Sequence, residues 1–359
     1  MKKILQVVGA LGVGGDTTAI MNMARYMDHS EFQMDFLSHE SIINNSFVEK
    51  YRSEGGVVHL VEGDMREMGV LKYYKAIYKV LKGENYDIVH VHTSFQSAVV
   101  LFAARMAGVK SRICHSHTTM IQRPLNKFLM LVYLPVSRWL IRIFSTQCVA
   151  CGSEAGHFLF GGKDFTILYN GIDIQKYTPQ KTVRNVDVLA EYDLKDKIII
   201  GQVGTIKQMK NQEFSIRLCS GLKQNYEMFF VGTGRLKEQL EKETKSNPHI
   251  HFLGRRTDIP DLMRRFDVLL LPSLPGEGLP VTAIEAQACG CPCIMSEYIT
   301  READLGIGLV KYVSLNDLDM WRMLIRKKGN SNIDIAKAVS EKGFNEMESS
   351  IKWINIYKK

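Results

Sequence analysis

Residues 269–286 read Leu269-Leu270-Leu271-Pro272-Ser273-Leu274-Pro275-Gly276-Glu277-Gly278-Leu279-Pro280-Val281-Thr282-Ala283-Ile284-Glu285-Ala286. An apolar run of strand length enters a glycine-bearing loop, and the loop leads into a helical pattern whose first turn is marked by Pro280, which has no amide hydrogen to lose there. Strand, loop and helix in that order form the unit of a parallel sheet with helices on its faces. The helix N-terminus offers free N–H groups and positive potential to an anion. Glu277 on the loop and Glu285 on the helix can both project toward the strand's carboxyl end, where a carboxylate suits the vicinal hydroxyls of a ribose or a sugar. Spacing alone is equally met by a loop charge and a solvated helix residue.

The same rhythm extends in both directions. In the first half, strand-like runs at 3–8, 34–38, 57–60, 88–92, 112–117 and 148–150 alternate with helical patterns at 17–27, 71–82 and 97–107. After Asn170-Gly171-Ile172-Asp173 and a polar stretch through Lys197, a second series opens with 198–203, 228–231, 251–253, 268–271 and 292–295. The expected organisation is an α/β chain of two Rossmann-like, doubly wound domains, 1–172 and 173–340, followed by a helical segment at 341–359. Open sheets of this kind bind ligands at their strand carboxyl ends, so two of them facing each other would line one cleft.

Composition narrows the partners only slightly. The 359 residues carry a formal net charge of +8, which favours anionic ligands, but no aromatic-basic recognition motif directs that charge to nucleic acid. Seven cysteines, an odd number, lie mostly inside apolar runs and fit reduced thiols of a cytoplasmic protein. Cys148/Cys151 and Cys289/Cys291/Cys293 lack the companions that would complete a zinc site. Asp317 and Asp319 form a DxD that capping explains better than a metal, so no metal and no cofactor are expected. Glycines at 9, 12, 14 and 15 interrupt the first apolar run, which argues against a signal peptide. No run reaches about 18 uninterrupted apolar residues.

Other constellations stand at strand ends. Gly201–Asn211 holds Gly204, Thr205, Lys207 and Lys210, and Lys210 before a helix is placed to neutralise a diphosphate. Gly12, Gly14 and Gly15 follow the first strand, so backbone there can approach a phosphate, although Thr17 breaks the dinucleotide-binding GxGxxG pattern. His90/His92 and His115/His117 are two-residue pairs, each with both rings on one strand face. The apolar run 128–144 is punctuated by Arg138 and Arg142, preceded by Lys127 and joined by Trp139, which suits either a core helix or the interface of an anionic membrane.

Taken together, these residues resemble the large retaining family 4 of glycosyltransferases, also called group 1, of the GT-B fold and the polysaccharide-biosynthesis type. The likeness is carried by Phe252-Leu253-Gly254 through Glu285-Ala286 to Gly290-Cys291-Pro292, with the family's Glu-x7-Glu on Glu277 and Glu285. Asn170–Asp173, Gly232-Thr233-Gly234 and Gly14-Gly15 add to it. The resemblance implies transfer of a hexosyl unit from a nucleotide diphosphate sugar, a UDP-sugar, to a glycan or lipid-linked acceptor at the inner face of the cell membrane. Glu285 would hold the ribose. Glu277 with the amides of Gly278 and Leu279 would hold the sugar, next to Pro280 and Val281, and Lys210 the diphosphate. The histidine that touches the donor sugar would be His117, or His115 if the register slips by two, with His92 beside them. The family's arginine five residues before its lysine is here Thr205, which leaves Lys207 as a substitute cation. Rival expectations are a nucleotide-sugar epimerase of the same fold and a weakened, glycan-binding scaffold.

Overall fold

Apolar runs bounded by glycine and polar turns fold as parallel strands because both of their faces are covered. The computed structural model describes residues 1–11, 15–39, 46–121, 126–178, 189–222, 225–326 and 334–359. The chain divides into two units, Met1–Gly171 with Glu346–Lys359, and Ile172–Asn345. The division thus falls one residue before position 172 and, at the far end, at Asn345, five residues beyond 340, so the crossing segment is shorter than 341–359.

In the first unit, the described residues include β1 (Lys2–Val8), β2 (Phe32–Ser38), β3 (Val58–Leu60), β4 (Ile88–Val91), β5 (Ser111–Ser116), β6 (Gln147–Ala150) and β7 (Thr166–Ile167), in the order β3-β2-β1-β4-β5-β6-β7. Every pairing is parallel. Alternation along β1 makes the sheet two-sided. Leu5 and Val7 enter one core with Tyr73, Ile77 and Leu101. Ile4 and Val8 enter the other with Ile20, Met23, Trp353 and Tyr357. That second core is closed by the C-terminal helix Glu346–Lys358, which buries Trp353 and Tyr357 beside helix Gly15–Ala24. Gln6 faces the same side as Ile4 and Val8 and is fully buried there.

The second unit holds β8 (Ile198–Val203), β9 (Tyr226–Val231), β10 (Ile250–Gly254), β11 (Val268–Leu271), β12 (Cys293–Ser296) and β13 (Val310–Val313), also parallel, in the order β10-β9-β8-β11-β12-β13. The chain enters and leaves this unit side by side, where the Ile172 amide donates to the Phe344 carbonyl at 2.8 Å. The Asp317 side chain accepts from the Met320 amide at 3.0 Å and caps helix Leu318–Leu324, the reading given above for the DxD. All seven cysteines are buried and none is in a disulfide.

Candidate functional site

Three loops at the carboxyl ends of adjacent strands in the second unit are sewn together by backbone. Gly204 follows β8, Gly232 follows β9 and Gly254 ends β10. The Gly204 amide donates to Val231 O at 2.9 Å, the Gly232 amide to Gly254 O at 2.8 Å, and the Ile206 amide to Thr233 O at 2.9 Å. The approach is close enough to demand glycine: a Cβ on Gly232, whose φ is +138°, would lie 2.1 Å from Gly204 O. A Cβ on Gly234 would lie as close to Ile206 O. Leu253 is half-buried where the β10 register slips against β9.

Lys210 sits in the 3-10 turn Gln208–Lys210, before helix Gln212–Ser220. Its carbonyl accepts from Gln202 Nε2 at 2.7 Å, and Ser215 Oγ holds the other end of that amide at 2.7 Å. Asn211, in the left-handed region at φ +54°, donates to Pro272 O, and the Leu274 amide donates to Met209 O. The loop after β8 is thereby tied to the loop after β11. Across that seam Lys210 Nζ forms an ion pair with Glu277 Oε1, with only 14% and 9% of the two side chains exposed. A pair so shielded from water is weakly screened and strongly coupled.

Lys207 and Arg235 stand beside the pair. Burial lowers the Lys207 ammonium from the ordinary lysine range, the nearby Lys210 charge adds to the effect, and Arg235 adds further against the opposing pull of Glu277. Thr205 is exposed, and its carbonyl accepts from Gln212 Nε2.

Behind Glu277, Gly278, Leu279 and Pro280 lead into helix Val281–Ala288, for which Pro280 is the cap rather than the first helical residue. The amides of Gly278 and Leu279 donate to no carbonyl among the described residues. Glu285 lies on this helix, half-buried, and its Oε1 accepts from Tyr177 Oη at 2.5 Å. Burial raises the Glu285 carboxyl, against the hydrogen bond from Tyr177 and the charges of Lys176 and Lys210. Sequence reasoning missed Tyr177. Its signal was Asp173, whose side chain accepts from the Gln175 and Lys176 amides and so starts the short helix Ile174–Tyr177.

The four histidines gather in the first unit, at the ends of β4 and β5. Adjacent rings stack, His90 on His92 at 4.4 Å and His115 on His117 at 4.0 Å between centroids, as two-residue spacing on a strand requires. His90 and His115 are fully buried and His92 nearly so, whereas His117 is half-buried. A ligand can reach His117. Burial takes His115 and His92 out of direct contact, a correction to both as sugar-side candidates. Nitrogens of His90, His92 and His115 lie within 4.8 Å of one another, with the His90 and His115 rings near-parallel and His92 tilted 40° to His115. Both His92 nitrogens are already hydrogen-bonded, to His117 Nε2 and Gln6 Oε1.

Gly12, Val13 and Gly14 lie outside the described residues, and Gly15 opens helix Gly15–Ala24. The run read at 128–144 is helix Lys127–Phe144. The side chain of Lys127 lies outside the described residues. Val132, Val136, Trp139 and Ile143 are exposed at 4-3-4 spacing and form one apolar stripe, with Arg142 exposed beside it. Arg138 departs from expectation: its Nη2 donates to Phe158 O at 2.8 Å and its guanidinium lies 5.5 Å from the Phe95 ring centre, so it packs on the domain instead of facing outward. No described helix is long and apolar enough to cross a membrane.

The family model described as "Glycosyltransferase Family 4" matches residues 13–176, and that described as "Glycosyl transferases group 1" matches 197–310. The Bacillus subtilis (strain 168) protein named "Putative glycosyltransferase EpsF" is 33% identical over 373 residues, covering 99% of this chain and 96% of its own. The Escherichia coli UDP-Gal:alpha-D-GlcNAc-diphosphoundecaprenol alpha-1,3-galactosyltransferase is 28% identical over 294 residues, 71% of this chain and 70% of that one. Among solved structures, Anabaena HepE in complex with UDP covers the whole of both chains with a TM-score of 0.76 at 17% identity, a likeness of fold, which is GT-B.

Proposed function

This chain belongs to glycosyltransferase family 4, and from that premise we propose that it moves a hexosyl unit from a UDP-sugar to a glycan or lipid-linked acceptor, with retention of anomeric configuration, in the assembly of a cell-surface polysaccharide. The observation that carries the reading is the shielded Lys210–Glu277 pair at the foot of helix Val281–Ala288, with Glu285 on that helix. The relatives lend it chemistry: the E. coli transferase is named for a UDP-galactose donor and an undecaprenyl diphosphate acceptor, and HepE was solved with UDP.

In this reading Glu285 accepts the two ribose hydroxyls. Glu277 and the free amides of Gly278 and Leu279 hold the sugar, and Lys210 leans from Glu277 onto the diphosphate. The bond from the anomeric carbon to the diphosphate oxygen breaks as the acceptor oxygen bonds to the same face of that carbon. The acceptor proton passes to the departing diphosphate. Fixed positive charge at the leaving group does most of the catalytic work, because it is oriented before charge develops. Lys207 and Arg235 supply the charge that Thr205 lacks. With this density of cations at a helix N-terminus, the reaction proceeds without a metal.

The direct test is incubation with UDP-hexoses and lipid-linked acceptors in the presence of a chelator, followed by NMR of the product linkage. The expected result is acceptor-dependent UDP release with an α-sugar giving an α-linkage. A sugar inverted at a ring carbon without acceptor would instead identify an epimerase, and absence of UDP-sugar binding in thermal shift would identify a scaffold.

The acceptor side of the reading extends to the membrane. The stripe of Val132, Val136, Trp139 and Ile143, with Arg142 at its edge, has the chemistry of a helix that lies in the interface of an anionic leaflet. Wild-type protein is expected to float with phosphatidylglycerol vesicles, and Trp139→Glu with Arg142→Glu to remain in the soluble fraction. Unchanged flotation of that double variant removes this surface from the account.

A further inference from the structure

We propose that Gln6, His92 and Tyr357 are positioning residues that hold the His117 imidazole with its proton on Nε2 and its lone pair on Nδ1. The inference rests on the reading of His117 as the residue that touches the donor sugar, and it assigns a task to the C-terminal helix that packing alone does not require.

Trp353 Nε1, which can only donate, lies 2.7 Å from Tyr357 Oη and 3.3 Å from His90 Nδ1. Tyr357 Oη accepts that hydrogen and also lies 2.8 Å from His90 Nδ1. Gln6 presents its amino end to Tyr357 Oη, at 2.7 Å, and the same nitrogen faces Met34 Sδ at 3.6 Å, an atom that cannot donate. Turning the amide over would set its oxygen against that sulfur. With the amide so fixed, Gln6 Oε1 accepts from His92 Nε2 at 3.0 Å. Burial, the first cause in each case, lowers His90, His92 and His117 toward their neutral forms, although the Asp16 carboxylate pulls His117 back up. A neutral His92 with its hydrogen on Nε2 is an acceptor at Nδ1, and the atom 2.8 Å from it is His117 Nε2. His117 must donate there, and its Nδ1 keeps a lone pair.

The opposite polarity is stereochemically possible and chemically different. It would place an N–H at His117 Nδ1, to which a hydroxyl oxygen or an oxyanion could accept; the deduced polarity instead leaves an acceptor, to which a sugar hydroxyl must donate. In this reading His117 accepts from a sugar hydroxyl, with its polarity set by a chain running from the C-terminal helix through the first strand.

The test is histidine tautomer assignment by two-bond ¹H–¹⁵N NMR on the full chain labelled at histidine. Wild-type His117 is expected with Nε2 protonated and Nδ1 bare. Gln6→Leu and Tyr357→Phe are each expected to give a mixed tautomer and to lower kcat by about 10- to 100-fold, the usual cost of losing a group that orients a functional histidine. An Nδ1-protonated His117 in the wild type overturns the proposal, as does an unchanged tautomer in both variants. Because the wild-type measurement needs no substitution, a variant that fails to fold leaves the test intact. Full turnover in His117→Ala would overturn the underlying reading of His117 as well, whereas a wrong tautomer with inactive His117→Ala sinks the relay alone.

Discussion

Replacing Lys210 with alanine is expected to lower turnover by about 10²- to 10³-fold, the range found when one preorganised charge donor is removed from a transition state. The substitution acts twice, and the two effects can be separated. Lys210 pairs with Glu277 where neither side chain is much exposed, so its loss leaves a shielded carboxylate without its ion-pair lysine. Breaking a buried pair from one side costs about 3–5 kcal/mol, which should lower the unfolding midpoint of the ligand-free protein. In Lys210→Ala with Glu277→Gln that cost disappears and the midpoint recovers. Turnover should not, because the diphosphate still lacks its cation. Calorimetry and initial rates on the two variants read these effects independently. Near-wild-type turnover in Lys210→Ala, or turnover that returns with the midpoint in the double variant, would show that the pair is structural only.

What the sequence made legible follows from what is local. The buried runs 198–203 and 268–271 become β8 and β11 with unchanged limits, because a strand covered on both faces reads as a nearly continuous apolar run, interrupted in β8 by Gln202. β7, two residues long and exposed, and β13, with Lys311 exposed and Tyr312 half-buried, offered no such run and were missed. Glu277 and Glu285 were legible for the same local reason: one loop and one helix carry both. The contacts that pair them were not, although Lys210 itself was. Lys210 lies 67 positions from Glu277, and Tyr177 lies 108 from Glu285. Only the order of strands in the sheet brings them together, and periodicity does not encode that order. The histidine pairs divide in the same way. Shared strand faces were readable from two-residue spacing, but the hydrogen bond from Gln6 to Tyr357 spans 351 positions and depends on where the last helix returns. Arg138 misled because spacing four before Arg142 predicts a shared outward face, while a long side chain can fold back onto a carbonyl and a ring.

Glu285→Ala is expected to weaken donor use by at least about 10²-fold. Two hydrogen bonds from a ribose diol to a carboxylate are worth about 1.5 kcal/mol each at the low end, and about 1.4 kcal/mol is a factor of ten. The isosteric Glu285→Gln separates binding from folding. Burial raises the carboxyl above its ordinary range, so the folded state holds that proton more tightly than the unfolded chain. A group shifted in this direction contributes stability below its unfolded pKa and loses it as the pH rises through the folded one. At about pH 7, therefore, ionised Glu285 costs the ligand-free protein stability, and Glu285→Gln should unfold no earlier than wild type, with its relative advantage shrinking as the pH falls through the folded pKa and gone below about pH 4, where the unfolded glutamate is also protonated. Tyr177 can still donate to the amide oxygen, which keeps the comparison clean. The expected pair of results is a protein as stable as wild type or more so that no longer gains thermal stability from UDP-sugar. If Glu285→Gln retains the full UDP-sugar shift, the ribose is held elsewhere; if it is destabilised at neutral pH, the carboxylate is a structural anchor and not a site kept ready for a ligand.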